Sequence, residues 1–150
     1  MQAKKSNFQF EDLLAKHHLK KTSSRLRVLS MLASKQVATS QPDLEAVIED
    51  VDRGTLYRIL STFEEKGIIH KVYDLNGTAN FALCHSNCEE NHHHDEHLHF
   101  NCVNCNNVYC LDDLDLPPIN LPQGFSNINF TLSATGVCPS CNKKIKDHQN

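Results

Sequence analysis

Two Cys-x-x-Cys pairs, Cys102/Cys105 and Cys138/Cys141, restrict this chain more than any other feature. Each pair forms a knuckle that sets two sulfurs at the spacing a tetrahedral zinc needs, so two pairs supply a closed, structural four-cysteine site. The 32 residues between the pairs must then fold back on themselves. A redox dithiol is the competing use of such pairs, but two of them point to zinc. The site also answers a problem of size. The chain has 150 residues and no tryptophan, and a unit of about 70 residues is marginal without a metal or a partner subunit.

Cys102 and Cys105 sit at the end of a denser run. Positions 84 to 110 hold five of the seven cysteines and six of the ten histidines. His97 and His99 lie two apart in His97-Leu98-His99-Phe100-Asn101; as a strand, this run points both imidazoles to one face and Leu98 and Phe100 to the other. Two neutral nitrogens on one face suit a second cation. Cys84 ends a preceding strand-like run. His85, Cys88, His92, His93 and His94 fall in a polar loop, of which one or two are expected to be true ligands.

The residues before the metal-rich run read as helices followed by a hairpin. Phe10, Leu13 and Leu14 space a first helix over 8–17, and Leu26, Val28, Leu29 and Leu32 a second that opens at Thr22-Ser23. Pro42 suits the first turn of a third helix over 42–50, capped by Ser40 or Gln41. Leu56, Ile59, Leu60 and Phe63 line a fourth over 53–66, stopped by Gly67. Two strand-like runs, 68–73 and 78–84, flank an Asn76-Gly77 turn. Helices followed by a hairpin make a winged helix-turn-helix, with Thr55, Tyr57 and Arg58 exposed on the early turns of the helix that would enter the major groove. Beyond the first knuckle, 106–111 and 125–132 read as further strands. A small sheet closed by zinc with a free edge is a natural dimerisation module. The fold class is therefore α+β, in three parts: a winged-helix DNA-binding domain over 1–83, a His/Cys-rich loop over 84–96, and a small α/β dimerisation and metal-binding domain over 97–150.

Charge follows the same division. Residues 1–83 carry 12 Lys+Arg against 10 Asp+Glu, and residues 84–150 carry 3 against 8. The N-terminus lacks an apolar run of signal-peptide length, and no stretch approaches the roughly 20 apolar residues of a membrane span. A cytoplasmic protein that does not engage a membrane is expected, and there paired cysteines bind metal more often than they form disulfides.

Taken together, several pieces resemble the ferric uptake regulator family over nearly the whole chain: Thr22-Ser-Ser-Arg25, Thr55-Leu-Tyr57-Arg58-Ile-Leu60, Gly67-Ile-Ile, HHHDEHLHFNCVNC, and Gly136-Val-Cys138-Pro-Ser-Cys141. The resemblance implies a homodimeric, metal-sensing transcription repressor that binds operator DNA. It places Tyr57 and Arg58 on DNA; Arg25 and Arg53, as basic groups, and Thr55, exposed on the same helix as Tyr57, are expected to join them. It gives the four knuckle cysteines structural Zn2+, and it assigns His97 and His99 to a regulatory site between the domains.

The departures bear on which metal is sensed. The stretch before Pro42 lacks the histidine that iron and peroxide sensors use, and Cys110 stands where a carboxylate usually lies. Cys84, in Phe81-Ala-Leu-Cys84-His85, resembles the cysteine that the zinc uptake regulator branch places at the end of the wing. Thiolate with imidazoles favours Zn2+ over Fe2+. The expected regulatory ligands are Cys84, His97 and His99, with a fourth from Asp74, His70, His85 or Cys110. The alternatives are an iron- or peroxide-sensing member of the family, a zinc buffer, or a zinc-dependent enzyme. Against the enzyme, no HExxH pattern occurs, and Glu90 and Glu96 lie in the loop.

Overall fold

The computed structural model describes residues 7–84, 97–126 and 131–148. Four helices come first: α1 (Asn7–Lys16), α2 (Ser23–Ser34), α3 (Gln41–Val47) and α4 (Arg53–Glu65). A two-residue strand β1 (Thr39–Ser40) precedes α3, and β2 (Ile69–Tyr73) with β3 (Ala79–Leu83) forms the hairpin. The remaining elements are β4 (Leu98–Cys102), β5 (Val108–Leu111), β6 (Leu132–Gly136) and α5 (Pro139–Asp147).

The local signals act as sequence chemistry dictates. Thr22, Ser40 and Asp52 each cap a helix by accepting from the backbone N–H three residues on. Helix α4 ends in a Schellman motif: Ile68 N–H donates to the Phe63 carbonyl at 2.8 Å and Gly67 N–H to that of Glu64 at 3.1 Å. Gly67 takes φ 74°, a conformation open to glycine at little cost. Helix α3 is shorter than its sequence pattern predicts, ending at Val47, with Ile48 N–H still bonded to the Leu44 carbonyl.

One apolar core joins these helices to the hairpin. Phe10, Leu14, Leu29, Leu44, Leu56, Leu60, Phe63 and Ile69 are all buried in it. Phe63 is fully enclosed, and its truncation to alanine should cost roughly 3–5 kcal/mol. Strand β1, two residues long, adds to the hairpin to give an antiparallel sheet ordered β1-β3-β2.

The second sheet is ordered β5-β4-β6, antiparallel between β4 and β5 and parallel between β4 and β6. The last strand is where the sequence pattern misleads. Phe125 and Ser126 are not in a strand, 127–130 lie outside the described residues, and β6 begins at Leu132. Phe125 instead closes a turn, its N–H donating to the Pro122 carbonyl, while Gly124 takes φ 90°. Glycine at 136 permits a close approach, since a Cβ there would lie 3.1 Å from the Phe100 ring and press on it. Helix α5, not expected from the sequence, follows directly with Pro139 in its first turn.

The two sheets touch. Ala38 N–H donates to the Val108 carbonyl at 2.9 Å, and Ala38, Val72 and Val108 form a small buried apolar cluster with Ala82 against it. This junction brings the hairpin alongside β4 and β5.

Candidate metal centres and nucleic-acid interface

Strand β4 carries a different centre on each face. Its pleat sends His97, His99 and Asn101 to one side and Leu98, Phe100 and Cys102 to the other. Phe100 packs on the cysteine cluster accordingly.

The four knuckle cysteines converge as expected. Cys102 ends β4, Cys105 lies in the following turn, Cys138 caps α5 and Cys141 stands in its first turn. Asn106, at φ 58°, closes the first knuckle, with its N–H bonded to the Cys102 carbonyl. All four sulfurs lie within 4.8 Å of one another. Cys105 and Cys138 are 3.9 Å apart, close to the ~3.8 Å between thiolates on a tetrahedral zinc with bonds of about 2.3 Å. The set fits that ion. The Cys138 N–H donates to the Cys102 sulfur at 3.3 Å and, with other backbone donors, holds the Cys102 thiol down to about 6. The Tyr109 hydroxyl lowers Cys138. For Cys141, the side-chain bond to Cys138 and then burial push the thiol up to about 12. Two thiols are thus ready to ionise, and a dication would supply the charge that strips the rest.

The second cluster joins the hairpin to the second sheet. One donor atom from each of His70, His97, His99 and Cys110 lies within 4.8 Å of the others. His70 comes from β2, His99 from β4 and Cys110 from β5, where His99 and Cys110 are direct partners in the antiparallel register. All three imidazoles are buried. The ring centroids lie 5.1 Å apart for His70 and His97, 5.5 Å for His70 and His99, and 4.5 Å for His97 and His99. Three imidazoles and a thiol at this spacing suit a tetrahedral, borderline-soft cation.

His70 and Cys110, two of the candidates for a fourth ligand, both stand with His97 and His99 in the cluster. Cys84 lies outside the four-atom cluster, with its sulfur 3.6 Å from His70 Nδ1, whereas Cys110 faces His70 Nε2 at 3.4 Å. The His70 ring projects between the two thiols, so the wing reaches the cluster through an imidazole. Asp112 is a group that sequence reasoning missed, though its position two residues beyond Cys110 was a signal; its Oδ1 is 3.4 Å from His97 Nδ1. Asp74 organises the hairpin turn: its Oδ1 accepts from Asn76 and Thr78 N–H groups, each at 2.9 Å, and Oδ2 from Asn80 at 3.3 Å. His85, Cys88 and the His92–His94 run lie outside the described residues.

Helix α4 presents the candidate nucleic-acid face. Tyr57 is 62% exposed. Asp52 accepts from both the Thr55 N–H and its hydroxyl, and Thr55 Oγ1 accepts from Arg58 Nη2 at 3.1 Å. The Asp52 carboxyl is held below its ordinary value by the Thr55 hydroxyl and then by the backbone N–H. An open cleft of about 800 Å³ runs between α3 and α4, lined by Gln41, Glu45, Arg53, Tyr57 and Arg58 among others. Arg53, strongly exposed, lies 3.6 Å from Glu45. Arg25 opens α2, its Nη1 donating to the Lys20 carbonyl at 2.7 Å.

A helical unit with a β-hairpin wing, coupled to a second sheet bearing two metal-competent clusters, defines a winged-helix, metal-responsive transcription regulator. The ferric uptake regulator family model matches residues 16–123, and the chain belongs to that family. Among curated relatives, the ferric uptake regulation protein of Bordetella parapertussis is 29% identical over 83% of this chain and 91% of its own length. The zinc uptake regulation protein of Escherichia coli is 26% identical over 89% and 79%. Among solved structures, a zinc uptake regulator complexed with zinc and DNA matches with a TM-score of 0.64 at 22% identity, covering 93% of this chain and 95% of that one. The Pseudomonas aeruginosa ferric uptake regulator with manganese gives 0.58 at 23%, covering 87% and 98%. Members of this family are DNA-binding transcription regulators rather than enzymes. Among the described residues, no helix is long and apolar enough to cross a membrane.

Proposed function

We propose that this chain is a zinc-responsive repressor that binds operator DNA as a homodimer and controls metal-uptake genes. The reading rests on one observation above all: His70 of the wing meets His97, His99 and Cys110 of the second sheet at ligand spacing. A divalent cation there would supply a bond to each side of the junction. The chain's own residues do the rest. His70 fixes the wing to β4 and β5, beside the Ala38–Val108 hydrogen bond. This holds α4 at a set angle to the second sheet, and two such units in a dimer present their recognition helices at the spacing of successive half-sites. Release of His70 leaves the small apolar junction to hold that angle alone.

Zinc is favoured over iron(II) or manganese because three imidazoles and a thiol are nitrogen and sulfur donors, whereas the latter two take more oxygen. The cysteine cluster holds a second, structural zinc. The chain then works as a DNA-binding module over 1–83, a connecting segment over 84–96 and a dimerisation module over 97–150. Leu114, Ile119, Leu121 and Phe125 are all exposed on the segment leading to β6, an apolar surface that a second copy would cover. On α4, Tyr57 reads bases, while Thr55, Arg58, Arg53 and Arg25 contact phosphates or neighbouring base edges. Fluorescence anisotropy of the full chain on its own promoter DNA, titrated with zinc, iron(II) and manganese, tests the proposal. Tight binding is expected at the lowest free concentration of zinc. Equal DNA affinity with and without every metal would refute metal control, and a response to iron(II) alone would refute the choice of zinc.

A further inference from the structure

Among the described residues, six donor groups surround the wing junction, more than one tetrahedral cation accepts: four lie within 4.8 Å of one another, and Cys84 and Asp112 each sit beside a histidine of that set. His70 offers Nε2 toward Cys110 at 3.4 Å and Nδ1 toward Cys84 at 3.6 Å. The two nitrogens of an imidazole point away from each other and cannot serve one ion together. His97 has the same arrangement, with Nδ1 beside Asp112 Oδ1 at 3.4 Å. A metal-bound histidine commonly gives its other N–H to a carboxylate, carbonyl or similar acceptor, which fixes the tautomer and the ring plane.

Resting on the regulatory-site reading above, we propose that Cys84 and Asp112 are positioning residues rather than ligands. Cys84 holds His70 by Nδ1 and Asp112 holds His97 by Nδ1, so both rings ligate through Nε2 and, among the described residues, the site contains a single thiolate, that of Cys110. The backbone favours this assignment for Cys84, which is tied to the wing by its own N–H bonded to the Ile68 carbonyl at 2.9 Å. His70, on the neighbouring strand, reaches past it to the second sheet. The wing is thereby sensed through one imidazole whose aim depends on a thiol behind it.

The test uses the full chain with its cysteine cluster filled by zinc and adds cobalt(II) as the spectroscopic probe. Thiolate-to-cobalt charge transfer in the near ultraviolet scales with the number of bound sulfurs. The unaltered chain is expected to show the intensity of one thiolate with a tetrahedral visible band. Cys110→Ser should lose the charge-transfer band. Cys84→Ala should keep its full intensity while binding cobalt about 10- to 100-fold more weakly, and Cys84→Ser, which keeps an acceptor, should recover part of that loss. Asp112→Ala should likewise keep the band and weaken binding. Far-ultraviolet circular dichroism checks that each variant is folded. Loss of half or more of the band in folded Cys84→Ser or Cys84→Ala would make Cys84 a ligand and overturn the proposal. Cobalt binding untouched by His70→Ala, His99→Ala and Cys110→Ser would instead overturn the regulatory-site reading itself, and the proposal with it.

Discussion

His99 on β4 and Cys110 on β5 are direct partners in the antiparallel ladder, so an imidazole and a thiol from different strands stand side by side on one face. Their spacing is set by the sheet rather than by an ion. Substituting either should leave the fold intact and remove metal control: His99→Ala and Cys110→Ser are each expected to weaken zinc-dependent DNA binding by about 5- to 150-fold. Anisotropy at fixed free zinc reads this directly, and unchanged binding by both variants would contradict the assigned site.

The cysteine cluster should behave differently. Cys102 is fully buried between Cys138 and the apolar groups Phe100, Tyr109 and Val137. Cys102→Ser is expected to lose its zinc and unfold the region from β4 to α5, while the helical core keeps its cooperative transition. Hydrogen exchange would show protection lost over 98–147 and retained over α2 and α4.

Acid should release the zinc proposed for this cluster. The Cys102 thiol sits at about 6 against 9.0 for a free thiol. Its contribution to stability is complete above the free value and is lost as pH falls through about 6. Cys141, raised to about 12, loses its proton to solvent only when a cation takes the thiolate, so each zinc bound expels protons and lower pH favours release. A chromogenic chelator should extract zinc faster at about pH 5.5 than at about pH 8; a rate independent of pH would count against thiolate ligation.

On α4, Arg58 is aimed by a relay from Asp52 through Thr55. Arg58→Ala should weaken binding to all DNA sequences and reduce the salt slope by about 1 if it meets a phosphate, whereas Tyr57→Ala should lower the ratio of specific to non-specific affinity. Salt titrations on operator and random DNA distinguish the two roles.

Asp52 also gives α4 a pH dependence. Its depressed carboxyl stabilises the helix at pH above the ordinary aspartate value, and that support disappears as pH falls through the folded value. Asp52→Asn keeps a capping oxygen but cannot titrate. The variant should therefore lose less melting temperature than the unaltered chain between about pH 5 and about pH 3.

Much of this arrangement is legible in the sequence. Helix starts, the Gly67 stop and the Asn76-Gly77 turn are local signals, and the 3.6-residue period of α4 reports its buried face directly. The knuckles are legible because zinc ligation fixes short spacings. Long-range register is not. Nothing local announces that Thr39–Ser40 pairs with β3, or that β6 lies parallel to β4 at Leu132–Gly136, where a small Ser-Ala-Thr-Gly run lacks hydrophobic alternation. The grouping of His70 and Cys110 with His97 and His99 has the same origin, since it depends on how the wing docks against β5. Asp74, attractive as a carboxylate, is consumed by its own turn.

The pleat of β4 has a consequence for how such a chain can change over generations. His97 and His99 face the wing junction, while Cys102, three positions beyond His99, faces the cysteine cluster. Insertion or deletion of a single residue between His99 and Cys102 would turn one set of ligands to the wrong side of the sheet and disable a centre outright. The interval between His99 and Cys102 therefore answers to two unrelated demands at once.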